Sequence, residues 1–104
     1  MKPAAPSFPK LPTRVSAPGG ETRIVSRSAK IVSEGAECWG AWDEAKRTIE
    51  VDTRAAPAHQ WRVLYHEMTH MALADSGVEE VLQPPVVEAI CNAIATARMR
   101  ERFG

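Results

Sequence analysis

Between Pro57 and Gly77 the chain carries two patterns on one helical period. Trp61, Leu64, Tyr65, Met68 and Ala72 fall at i, i+3, i+4, i+7 and i+11, an apolar stripe that predicts a helix facing a core. His66 and His70 lie four residues apart in the same segment, so both imidazoles project from one side of that helix. Pro57 suits the first helical turn and Gly77 the stop. A chain built around this segment must supply a surface for the stripe to pack on and leave the histidine side approachable.

The surroundings predict that surface. Ile24, Val25, Ile31 and Val32 suggest one or two short strands between Thr22 and Val32, and Gly35 breaks the chain after them. From Cys38 to Asp52 the sequence reads as strand, turn and strand, with Asp43-Glu44-Ala45-Lys46 as the turn. Ile49 and Val51 share one face of the returning strand, while Thr48, Glu50 and Asp52 share the other. After Pro84-Pro85 a second helix runs to about Arg102. Val87, Ile90, Cys91 and Ile94 form its apolar face, and Arg98, Arg100 and Arg102 sit where cations favour the helix dipole. The expectation is an α+β domain: a small antiparallel or mixed sheet, then two helices.

Five of the eight prolines, Pro3, Pro6, Pro9, Pro12 and Pro18, fall in the first twenty residues. That spacing favours an extended polyproline-like conformation and predicts a tail over residues 1–20, with the domain over 21–104. Leu11 and Val15 are the residues able to pin part of the tail down. The length, 104 residues, suits one domain. Thirteen Lys and Arg balance thirteen Asp and Glu, which argues against nucleic acid as the main partner. No apolar run approaches the roughly 18 residues of a membrane span, and the N-terminal stretch lacks the apolar core of a secretory signal. Cys38 and Cys91 are too few for a disulfide framework, so the expectation is a cytoplasmic protein with free thiols.

His66-Glu67-Met68-Thr69-His70 is an HExxH motif. Neutral imidazoles one helical turn apart can bind one Zn²⁺. Glu67, rotated by about 100° from His66, cannot join them as a ligand but can take a proton from metal-bound water. A hydrolytic zinc site needs a third protein ligand, and the candidates are Glu79, Glu80, Glu88 and Cys91. Glu88 is favoured, because a turn at Gly77 folds the last helix back across the first. Asn92, four residues on, then faces the same site and can hydrogen-bond a ligating imidazole. Tyr65 and His59 are nominal carbonyl-polarising donors, but Tyr65 belongs to the apolar stripe and His59 to a solvated helix start. Trp39, Trp42 and Trp61 suit core or cleft walls.

The pair His66-Glu67-Met68-Thr69-His70 and Glu88-Ala89-Ile90-Cys91-Asn92 resembles the gluzincin pattern of thermolysin-type metallopeptidases. That resemblance implies His66, His70 and Glu88 as zinc ligands, Glu67 as general base, and Asn92 as a partner of a ligand. The segment Trp39 to Thr53 followed by Tyr65 also resembles small phage and bacterial zincin-like domains, including the ImmA/IrrE-like and SprT-like peptidases. In those a strand lies at the sheet edge beside the cleft. The chain departs from the pattern in being far shorter than thermolysin, without counterparts of its oxyanion-stabilising residues. It also lacks the metzincin glycine and third histidine, Ser76 standing at the latter's place.

The function these residues imply is a minimal zinc metallopeptidase acting on a protein or peptide. Its substrate would pair with an edge strand, for which Thr48, Ile49, Glu50, Val51 and Asp52 are the candidates. The alternative is a non-catalytic binding module of phage or prophage type, its zinc closed by a fourth ligand from Cys91, Glu79 or Glu80. A metal-free interaction domain is the third class.

Overall fold

The computed structural model describes residues 8–104; the first four of the five N-terminal prolines are thus only partly covered, Pro3 and Pro6 lying outside the described residues. The order is β1 (Arg14–Ala17), β2 (Gly20–Arg27), β3 (Ile31–Ser33), β4 (Ala36–Cys38), β5 (Gly40–Asp43), β6 (Thr48–Asp52), α1 (Pro57–Asp75), a 3-10 turn (Val78–Val81) and α2 (Pro84–Phe103). The fold is α+β, a mixed sheet followed by two helices, as the patterning implies. No helix among the described residues is long and apolar enough to cross a membrane.

Four strands form one sheet in the order β1-β2-β6-β5. β2 and β6 run parallel, with Ile24 opposite Ile49, while β1–β2 and β5–β6 are antiparallel. β3 and β4 form a separate hairpin whose two-residue turn, Glu34-Gly35, has positive φ at both positions. That is the twist-compatible turn for a tight hairpin, and Gly35 supplies the position a side chain tolerates least.

Two expectations change here. The strand Thr48–Asp52 is not an edge: β6 is paired on both sides, and Ile49, Val51 and Asp52 are almost wholly buried. Its alternation reflects packing of Ile49 and Val51 on α1, a pattern that an interior strand shares with an edge one. The strand at that margin of the sheet is β5. The described part of the expected tail is also built in. Arg14–Ala17 pairs with β2, Phe8 and Leu11 pack on the core, and the Trp61 indole N–H donates to the Pro9 carbonyl at 2.8 Å. Proline excludes a helix over this stretch, but not extended chain lying on an aromatic surface.

The core joins Ile24, Ile49 and Val51 of the sheet to Trp61, Leu64, Tyr65 and Met71 of α1 and Ala95 of α2. Ala72, assigned to the stripe by spacing, is exposed, and Met71 is buried instead, receiving the Thr22 hydroxyl at 3.0 Å. On α2 the buried line is Val87, Cys91 and Ala95, with Ile94 40% exposed. Small residues at 91 and 95 favour close approach of the two helices, which rotates the apolar face away from the bulkier Ile94.

Candidate metal centre

Gly77, with φ of 78°, ends α1 and turns the chain back, so that α2 runs against it. This brings the second turn of α2 beside the middle of α1. The Glu88 carboxylate then reaches both imidazoles at once: Oε1 is 2.8 Å from His70 Nε2, and Oε2 is 3.2 Å from His66 Nε2. Ligand atoms at zinc bond lengths lie at the corners of a tetrahedron with edges of about 3.3 Å. Each Nε2 therefore stands about that far from one carboxylate oxygen, the two contacts being to different oxygens, and the imidazole ligand atoms lie within 4.8 Å of each other and of Cys91 Sγ.

The other sides of the rings are also served. Glu79 Oε1, on the 3-10 turn, is 3.7 Å from His70 Nδ1, and Asn92 lies beside His66 on a neighbouring hollow. Groups of this kind fix the orientation and tautomer of a ligating imidazole. Burial pushes the His66 imidazole below its usual range, although Glu88 pulls it upward, and so favours the neutral form that metals bind. Of the four candidates for a third ligand, Glu88 faces both Nε2 atoms, Glu79 faces the back of one ring, and Glu80 is exposed outside the cavity. Cys91 is fully buried, and its Sγ falls within 4.8 Å of the imidazole ligand atoms. Burial, then Glu88, Glu67 and Glu79, pushes that thiol up to about 12.

Glu67 opens into the same cavity of about 370 Å³, alongside His66, His70, Glu79 and Glu88. Burial pushes its carboxyl up to about 7, against the pull of His70 and of the Trp42 backbone N–H. A group in that range can both accept and return a proton near neutrality. Strand β5 forms the facing wall. Gly40 makes this possible: a Cβ there would collide with Val63 Cγ1 and come within 3.0 Å of the Glu50 carbonyl and 3.4 Å of Glu67 Cγ. Two imidazoles with the Glu88 carboxylate against both and Cys91 Sγ within 4.8 Å are a donor set that could hold a metal ion such as Zn²⁺.

Neither nominal oxyanion donor stands at the centre. Tyr65 is in the core, its hydroxyl accepting from Arg102 at 3.2 Å with Arg98 stacked on its ring. His59 lies against Trp39, ring centroids 5.4 Å apart, on a neighbouring hollow. Sequence reasoning passed over Gly40 and Glu34. A glycine at the start of a strand between Trp39 and Ala41 is a signal of close backbone approach. Glu34, by contrast, reaches the cavity only through the β3–β4 turn, which no local pattern announces.

No protein-family model, curated protein or solved structure matches the chain. The functional reading therefore rests on the centre itself.

Proposed function

We propose that this protein is a zinc-dependent metallopeptidase of the HExxH type, resembling the gluzincins and the small phage and bacterial zincin-like domains. The observation that carries the reading is the Glu88 carboxylate lying against both imidazole Nε2 atoms while Glu67 shares the cavity without joining them. His66, His70 and Glu88 would hold the ion. When bound, Zn²⁺ would polarise a peptide carbonyl and bring the pKa of water toward about 7. Glu67 takes the proton from the attacking water and returns it to the departing amine. Asn92 and Glu79 keep the two imidazoles oriented. β5, in place of Thr48–Asp52, is the strand whose free side an extended substrate would join. The free thiols Cys38 and Cys91 suit a reducing compartment such as the cytoplasm.

One observation favours a second reading. Cys91 Sγ lies close enough to the imidazoles to become a fourth ligand, which would close the site and leave a zinc-stabilised binding module. Glu67→Gln separates the two. In a peptidase the variant keeps its zinc, and turnover of a peptide library falls by roughly 10²–10⁴-fold. Equal cleavage by wild type and variant removes Glu67 from the mechanism, and no cleavage by either transfers the assignment to the module.

A further inference from the structure

The metal centre sits in the middle of a groove whose two ends differ in chemistry. The 370 Å³ cavity and a second of about 230 Å³ share Cys38, Gly40, His66 and Glu67, so they follow one another along α1 and meet at His66 and Glu67. The first is walled by Glu34 and Glu79 as well as by Glu67 and Glu88. Among the described residues none of these four carboxylates is paired with a lysine or arginine. Even beside a dication and with Glu67 protonated, the other three carboxylates leave an excess of negative charge. The chain as a whole is neutral, so this is a local field.

The other end is walled by Trp39, His59, Arg62 and Val63. Trp39 is 47% exposed and tilted against His59. A large aromatic left half in water at the mouth of a hollow offers apolar area that a partner's side chain can cover. Arg62 makes this end unwelcoming to a cation.

Building on the metallopeptidase reading, we propose that the groove selects extended peptides bearing a lysine or arginine at the Glu34–Glu79 end and a bulky apolar residue at the Trp39–His59 end. A basic side chain there meets unpaired carboxylates, whereas an acidic one is repelled. Glu34 sets the choice of charge, since Glu79 is engaged with His70. Trp39 supplies affinity independent of charge.

The test uses the zinc-loaded full chain carrying Glu67→Gln, and fluorescein-labelled octapeptides of Ala, Ser and Gly. Each peptide holds one Phe and one Lys about four residues apart, roughly the span of a short strand, in either order. Counterparts carry Glu in place of Lys. Fluorescence anisotropy should show the better Lys peptide binding about tenfold more tightly than its Glu counterpart. Adding Glu34→Lys should cut that preference to about threefold or less. Adding Trp39→Ala should weaken both peptides several-fold and leave their ratio unchanged. Equal binding of Lys and Glu peptides, absence of binding, or a preference untouched by Glu34→Lys overturns the proposal. Its failure is distinct from failure of the peptidase reading. Charge-selective binding without cleavage by wild type keeps the groove and rejects the enzyme, while cleavage without charge preference does the reverse.

Discussion

Asp75, the last residue of α1, and Glu88, which α2 brings against the middle of α1, are both carboxylates, and they are treated in opposite ways. Asp75, at the last turn of the helix, is gripped by Arg47 at 2.7 and 3.0 Å and by the Gly19 backbone N–H at 3.1 Å. The Arg47 guanidinium holds its carboxyl below the usual range. Asp52 is managed likewise by Arg54, whose Nη2 lies 2.7 Å away. Two turns and more up the same helix, Glu67, Glu79 and Glu88 crowd around two imidazoles with no built-in cation among the described residues. The Asp75 and Asp52 side chains are buried and need a built-in partner, whereas those of Glu88 and Glu79 are 55% and 37% exposed and keep water beside them. Where the fold needs a carboxylate for its own cohesion it supplies the guanidinium; at the cleft, among the described residues, it supplies none.

The largest effect that would break this contrast is expected from removing the nitrogen donors. His66→Ala with His70→Ala should lower Zn²⁺ affinity by orders of magnitude. Both side chains are only partly buried and neither belongs to the core, so the far-ultraviolet circular dichroism should persist. Mass-spectrometric metal analysis after dialysis reads the outcome, and stoichiometric zinc in the double variant would sink the centre.

At the paired end the consequence should be on stability alone. Asp75→Ala leaves the Arg47 guanidinium without its carboxylate and frees the Gly19 amide, so the protein should be destabilised. The urea midpoint should fall accordingly while zinc content stays unchanged. A drop in zinc would show that the two clusters are not independent. Gly40→Ala should follow, costing about 1–3 kcal/mol as Val63 and β5 move apart. Here stability and turnover should fall together, because the strand and the Glu67 side chain share that contact.

How much of this could be read beforehand follows the range of the interactions. The helices, their stops and the HExxH face depend on spacing within one segment, and Trp61, Leu64, His66 and His70 lie where that spacing predicts. Glu88 and Asn92 come beside the two imidazoles through one tertiary step, the fold-back at Gly77. The edge assignment of Thr48–Asp52 failed because strand order depends on the parallel pairing of β2 with β6, a contact that local alternation does not encode. The tail boundary failed for a related reason: Pro9 and Phe8 are held by Trp61 and Phe103, far along the chain. Glu34 and the Trp39–His59 end of the groove likewise arise from a hairpin and a helix meeting in space.

The effect confined to one window of pH concerns the desolvated carboxyl when no metal is present. Burial raises Glu67 from 4.5 to about 7, so the folded protein holds that proton longer than the unfolded chain does. Between those values the folded state binds more protons, and stability falls as pH rises through the window. His66 acts in the opposite direction: its lowered pKa means that stability is lost as pH drops below the usual value of 6.5. Glu67→Gln abolishes the first titration and leaves the second in place, so the difference between variant and wild type isolates Glu67. In the presence of chelator the two melting temperatures should nearly coincide near pH 4.5. The variant should then pull ahead as pH rises to about 7, with no further gain above it. Thermal scans at half-unit intervals of pH would read this directly. A gap that is the same at every pH would mean that the Glu67 carboxylate is already as well solvated as in the unfolded chain. The contrast between the paired and the unpaired ends of α1 would then lose its electrostatic basis.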